Sequence, residues 1–243
     1  MRIYLVRHGE SLGNVDKSTH LNTADHAIPL SPDGHKQAKK TAKFLVDHFY
    51  DGMHFLKPGD RSREKLIRER HGDQSLSKAV FRVWTSPYER CRQTARYIAD
   101  AFDSQGDAGW RVDLREHILL CEQQFGLFDG IPTEELPKQY PNEHAYYKKL
   151  EDAAGRFWAR MPLGESRFDV ATRVHQAFGT FHRDRDRHGI QNIVVVCHGV
   201  TMRAFVMMWL HLPFEWVDEE PNPPNCAIRL IQDGVDKGYL GPF

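Results

Sequence analysis

Ile193-Val-Val-Val-Cys-His-Gly199 is the stretch from which the fold can be read. Four branched aliphatic residues followed by a small thiol offer water no polar side, so a strand built from them must be covered on both faces. The run breaks at His198-Gly199, and Thr201 to Leu212 resumes at helical spacing with Phe205, Val206, Met208, Trp209 and Leu212. The same pattern recurs upstream. Ile3 to Val6 ends in Arg7-His8-Gly9-Glu10-Ser11, and Val80 to Trp84 ends in Thr85-Ser86-Pro87 before a helix carrying Arg90, Thr94, Tyr97, Ile98 and Phe102. Ser31-Pro32-Asp33-Gly34 places proline in a first helical turn, and Ala38, Ala42, Leu45, Val46 and Phe49 continue that helix. Asp169 to Arg187 reads as a long helix whose tail, Arg183-Asp-Arg-Asp-Arg187, is a solvated face. Cys226 to Ile231 reads as a late strand. This alternation predicts an α/β fold, a three-layer α/β/α sandwich around a mainly parallel central sheet.

The 243 residues are expected to form a single domain, 1–243. Two stretches interrupt the rhythm. Residues 51–79 are charged and poor in apolar periodicity, as in a surface excursion. Residues 127–164 are helical, aromatic and broken by Pro132, Pro137, Pro141 and Pro162, as in a helical insertion over the active site. Lys plus Arg and Asp plus Glu both total 33, which argues against a nucleic-acid partner and leaves room only for a local basic pocket. No apolar run reaches the roughly 18 residues of a membrane helix, and the opening Met-Arg-Ile-Tyr-Leu-Val lacks the form of a signal peptide. The expected location is cytoplasmic. There, Cys91, Cys121, Cys197 and Cys226, with no CxxC pair among them, are reduced structural residues.

Sites in parallel sheets gather beyond the carboxyl ends of strands, so Arg7-His8, Ser86 to Arg90 and His198-Gly199 are expected to converge. Histidines, arginines and loop amides together suit a dianion. A phosphoryl group in transfer spreads charge over three equatorial oxygens and needs such donors. A neutral imidazole among arginines is also a competent nucleophile.

Leu5-Val-Arg-His-Gly-Glu-Ser11 resembles the signature of the histidine phosphatase superfamily, in its phosphoglycerate-mutase-like branch. The likeness extends in order through Asn14, Leu30-Ser31, Gly34, Gln37-Ala38, Thr85-Ser86-Pro87 with Arg90 and Thr94, and Glu122 with Gly126 and Gly130. It continues through Pro162 with Gly164-Glu165-Ser166 and closes on Val194-Val-Val-Cys-His-Gly199. The resemblance implies that His8 is the nucleophile, that Arg7, Arg90 and His198 clamp the phosphoryl oxygens with Asn14 as a further donor, and that Glu122 is the general acid. Glu116 is the alternative acid if the loop is shifted. Asn14 is also a candidate turn cap. Arg156 and Arg160, one helical turn apart, either reach a distal anion or form a solvated face.

The family divides into mutases and phosphatases. Mutases carry Glu-Arg-His-Tyr-Gly at the acid and an arginine-rich insertion; here the acid segment is Glu122-Gln-Gln-Phe-Gly126 and the adjacent cationic pair of the insertion is Lys148-Lys149. The expectation is therefore a phosphatase, with a cofactor-dependent phosphoglycerate mutase and a non-catalytic phosphate-binding module as the alternatives. No metal and no cofactor are expected. The partner is a small-molecule phosphomonoester, although phosphoproteins also satisfy the pattern; the sequence names neither the substrate nor the oligomeric state.

Overall fold

The computed structural model describes residues 1–51, 79–104 and 110–241. Six strands form one sheet: β1 (Arg2–Arg7), β2 (Ala79–Thr85), β3 (Trp110–Glu116), β4 (Asn192–Cys197), β5 (Ile228–Gln232) and β6 (Val235–Leu240). Their spatial order is β3-β2-β4-β1-β5-β6. The first four run parallel, while β5 pairs antiparallel with β1 and with β6. The long helices are α1 (Pro32–Asp51), α2 (Glu89–Asp103), α3 (Pro141–Ala154), α4 (Arg167–His188) and α5 (Gly199–Leu210).

Alternation along the central strands divides the core between two faces. Ile3, Leu5, Ile193 and Val195 pack against Val174, Phe178 and Phe181 of α4 and Phe205 of α5. Tyr4, Val6, Val194 and Val196 pack against Leu45 and Phe49 of α1 and Ile98 and Phe102 of α2. Ser166 starts α4 with a capping box closed by Asp169, and Gly189, at φ +65°, ends it. Every residue of α5 from Gly199 to Met207 is buried, Arg203 among them.

The three-layer sandwich and its mainly parallel sheet are as expected, with local corrections. Helix α5 begins at Gly199 and stops before His211, which adopts the left-handed conformation at φ +54°, so Leu212 lies outside it. The late strand begins at Ile228, because Cys226 also takes a positive φ of 60°. Tyr239 and Leu240 fold back within β6. The tail of α4 is not wholly solvated: Asp184 is buried, accepting from Arg82 Nη1 and Trp84 Nε1, both at 2.8 Å. The helical part of 127–164 comprises Leu136–Gln139 and Pro141–Ala154, and the remainder to 164 holds no long helix. Between its end residues, the excursion anticipated at 51–79 lies outside the described residues. Among the described residues, no helix is long and apolar enough to cross a membrane.

Candidate active site

The register of the sheet brings the predicted loops together. Arg7 is the partner of Cys197, and Thr85 of Val196, so β1, β2 and β4 end side by side. The His8 N–H continues the ladder to the Cys197 carbonyl at 3.0 Å, and Ser86 N–H donates to the Val196 carbonyl at 2.9 Å. The His8 and His198 rings meet edge to face, 5.1 Å apart.

The loop after β1 is held from two directions. Gly9 N–H donates to Thr94 Oγ1, and Glu10 N–H to Gln37 Oε1. Ser31 Oγ donates to the Glu10 carboxylate at 2.6 Å. Gly34 touches this loop so closely that a Cβ there would lie 1.9 Å from the Glu10 carbonyl oxygen. The start of α1 therefore works as a brace for the loop that follows β1.

A cavity of about 820 Å³ opens over these strand ends, lined by Arg7, His8, Asn14, Arg90 and Glu122. His8 Nδ1 lies 2.7 Å from the Gly9 carbonyl oxygen. A carbonyl only accepts, so Nδ1 carries the proton and Nε2 keeps its lone pair. Burial, then the positive charges of Arg90 and Arg7, hold the His8 pKa well below the ordinary histidine value, so the ring is neutral. Arg7 donates from Nη1 to the Pro223 carbonyl at 2.5 Å, and its buried Nε has no protein acceptor. Arg90 is held by Asp25, donating from Nη1 to its main-chain oxygen at 2.6 Å and to Oδ1 at 2.9 Å. Asn14 is both a cap and a lining residue. Its N–H donates to Ser11 Oγ, while its side-chain oxygen accepts from Ser11 N–H and from Asn225 Nδ2.

Glu122 sits on a loop clamped from outside the cavity. Arg173 donates to the carbonyls of Leu119, Cys121 and Glu122 and to both oxygens of Glu165, at 2.8 to 3.1 Å. Thr201 Oγ1 donates to the Cys121 carbonyl at 2.6 Å. Gly126, at φ +60°, lets the loop pass so near Pro162 that a Cβ would lie 2.1 Å from that residue's carbonyl oxygen. Burial raises the Glu122 pKa above the usual carboxylate value, against the lowering effects of the Gln123 N–H, Arg90 and Arg7. Glu116, the alternative acid, ends β3 in a two-point ion pair with Arg92 that holds its pKa down, and it does not line the cavity.

The structure sets the remaining candidates apart from one another. His198 is fully buried and does not line the cavity; its Nε2 lies 2.8 Å from Ser86 Oγ, behind His8. Arg156 lines the cavity, whereas Arg160 turns to Asp169. Sequence reasoning missed Asp25, Asn225, Arg167 and Arg203, none of which has a local motif that would single it out. Among the described residues, no group of three or more His, Cys, Asp or Glu side chains is gathered for a metal ion.

The sequence profile of the histidine phosphatase superfamily (branch 1) matches residues 3–65 and 61–238. The chain belongs to the histidine phosphatase superfamily. Within this superfamily it is similar to a phosphoglycerate mutase-like protein of Arabidopsis thaliana, 31% identical over 98% of this chain and 76% of the relative. It is also similar to a broad-range acid phosphatase of Saccharomyces cerevisiae, 24% identical over 95% of this chain and 84% of that protein. A mycobacterial glucosyl-3-phosphoglycerate phosphatase solved with inorganic phosphate shares the superfamily fold, with a TM-score of 0.63 and 18% identity over 95% of this chain and 89% of the other.

Proposed function

We propose that this chain is a phosphomonoester hydrolase that works through a phosphohistidine on His8. The observation that carries this reading is the His8 Nδ1 contact with the Gly9 carbonyl, which leaves Nε2 as the nucleophilic nitrogen of a neutral ring beside two guanidinium groups. In the first step Nε2 attacks phosphorus and the bond to the ester oxygen breaks. Glu122 gives its proton to that oxygen, a role its raised pKa supports. In the second step water attacks phosphorus, the P–N bond breaks, and the Glu122 carboxylate takes the proton from water. Arg7 and Arg90 face the charge that builds on the equatorial oxygens, with Asn14 Nδ2 as a neutral donor. His198 backs His8 in the resting arrangement, and a direct contact with a phosphoryl oxygen requires its ring to leave Ser86.

The phosphatase names of relatives support hydrolysis, and the free thiols of the four cysteines suit a reducing compartment such as the cytoplasm. A second reading, mutase activity, draws on the Arabidopsis relative's name and on Arg156, Arg167 and Arg203, which bring three more guanidinium groups to the cavity. The deciding experiment is phosphate release from a panel of monoesters, with and without bisphosphoglycerate, using His8→Ala as the blank. Release that needs no bisphosphate and vanishes in His8→Ala is the expected result. Isomerisation of phosphoglycerate only when the bisphosphate is present would replace the hydrolase reading by the mutase one.

A further inference from the structure

We infer that Tyr88 is a positioning residue: through Gln124 its hydroxyl sets the place of Glu122, while its ring supports Arg90. Its role toward Glu122 depends on the proton-donor reading proposed above. Tyr88 stands between the end of β2 and the start of α2. It is 7% exposed and does not line the cavity, so it acts through its neighbours. The Arg90 guanidinium carbon lies over the ring, 4.9 Å from its centre, and the ring meets that of His198 edge to face at 5.0 Å. An aromatic face attracts a guanidinium without neutralising it, so Arg90 keeps its charge for a phosphoryl group. Tyr88 N–H also donates to Ser86 Oγ at 3.4 Å, the same oxygen that lies 2.8 Å from His198 Nε2.

A phenylalanine would serve the ring contacts equally well; the hydroxyl has a partner elsewhere. Gln124 Nε2 donates to it at 2.6 Å, and the same amide nitrogen lies 3.5 Å from the Glu122 main-chain oxygen. The Gln124 main chain is fixed separately by Glu165. Its N–H donates to Glu165 Oε2 at 3.0 Å, and its carbonyl accepts from the Glu165 N–H at 2.8 Å. The segment two residues from Glu122 is thus held at both ends, by the approach to α4 and by Tyr88. Burial pushes the Tyr88 pKa up to about 12, so the hydroxyl keeps its proton and leaves proton transfer to Glu122. Arg90 fixes where a phosphoryl group sits, and the acid must meet the oxygen leaving that phosphorus. A strut between the two keeps their spacing constant, and small errors in such spacing are costly.

Tyr88→Phe keeps the ring and removes the strut. The test compares kcat/KM, which reports phosphorylation of the enzyme and not its later hydrolysis, on two esters. One is p-nitrophenyl phosphate, whose leaving group departs with little proton assistance; the other is the best alkyl ester of the monoester panel, whose alkoxide needs it. Tyr88→Phe is expected to lower the alkyl value about tenfold and the aryl value less than about twofold, with phosphate inhibition unchanged. Gln124→Leu, at an exposed position, should give the same selective loss, and the double variant should be no worse than either. Tyr88→Leu should weaken phosphate inhibition as well, because Arg90 loses the ring beneath it. Equal losses on both esters in Tyr88→Phe, no loss on either, or additive single losses would overturn the strut. Glu122→Gln is measured alongside. If it lacks the leaving-group dependence, the proton-donor reading fails and takes the strut with it. If it has that dependence and Tyr88→Phe does not, the strut alone fails.

Discussion

The side-chain amide of Asn225 donates to the Asn14 carbonyl oxygen at 3.2 Å and to the His8 main-chain oxygen at 3.1 Å. Asn14 therefore has its oxygen committed to Asn225 and to the Ser11 N–H, which leaves its NH2 group as the donor free for a ligand. Asn225→Ala should raise the inhibition constant of inorganic phosphate about tenfold, the scale of one or two lost polar contacts. Asn225→Asp should do more, because it places a negative charge beside the anion. A double-mutant cycle with Asn14→Ala checks the route: strictly additive losses would show that the two amides do not act as one unit.

The pH profile follows from two opposite shifts. Attack needs neutral His8, whose pKa lies well below the ordinary histidine value, so activity falls on the acid side only after the pH passes far below about 6.5. Leaving-group protonation needs protonated Glu122, whose pKa is raised, so activity falls on the alkaline side as that carboxyl ionises. The expected kcat/KM profile is a bell displaced toward acid. Glu122→Gln should flatten its alkaline limb, and a limb that stays in place would reassign the acid.

Arg173 fixes the Glu122 loop through carbonyls and through Glu165, yet it does not line the cavity. If Glu122 is the proton donor proposed above, Arg173 acts on it by position alone. Arg173→Ala is expected to lower kcat by about 10²-fold, the cost of a small misplacement, while phosphate inhibition changes little. Arg173→Lys keeps the charge without the fork and should recover only part of the loss. Equal damage to phosphate inhibition and kcat would point to general disorder of the site.

Asp184 and Arg82 form a buried pair on the far side of the sheet from α1 and α2, well away from the cavity lining. Asp184→Ala leaves Arg82 and the Trp84 N–H without this acceptor and is expected to cost about 3–5 kcal/mol in urea unfolding. Phosphate release by the fraction that remains folded should be unchanged. A loss under 1 kcal/mol would show that water replaces the carboxylate.

The guanidinium groups of Arg7 and Arg90 supply the positive field at His8, so dialysis against EDTA is expected to leave phosphate release unaltered. A loss restored by added divalent cation would assign the phosphoryl field to a metal ion.

The strands read most plainly were those with no polar residue to spare. Ile193 to Val196 and Ile3 to Val6 admit only a doubly covered position. Strand β3 escaped notice because an edge strand can alternate, and Val112, Asp113, Leu114 and Arg115 do so. Strand β6, half exposed along its length, escaped for the same reason. Within the site, Arg7, His8, Asn14, Arg90 and Glu122 could be found because each sits in a short block with a recognisable neighbour. Asp25, Asn225, Arg167 and Arg203 act across the fold, through partners distant in sequence, and nothing local marks them. Asp184 misled because one face of a charged helical tail turns inward while its neighbours face water.

The position of β1 has a further consequence. It precedes the other strands among the described residues, but its two sheet neighbours, β4 and β5, come fourth and fifth, so Arg2 waits for Asn192 on one side and Gln232 on the other. On the ribosome, the segment bearing His8 emerges well before β4 and β5 and acquires hydrogen-bonded edges only when they follow. Until then an apolar ribbon with both rims open must be kept from pairing with other nascent chains. The surroundings of His8 are therefore completed late among the strands, and a chain that stops short of β4 carries His8 without the neighbour that holds it in the sheet.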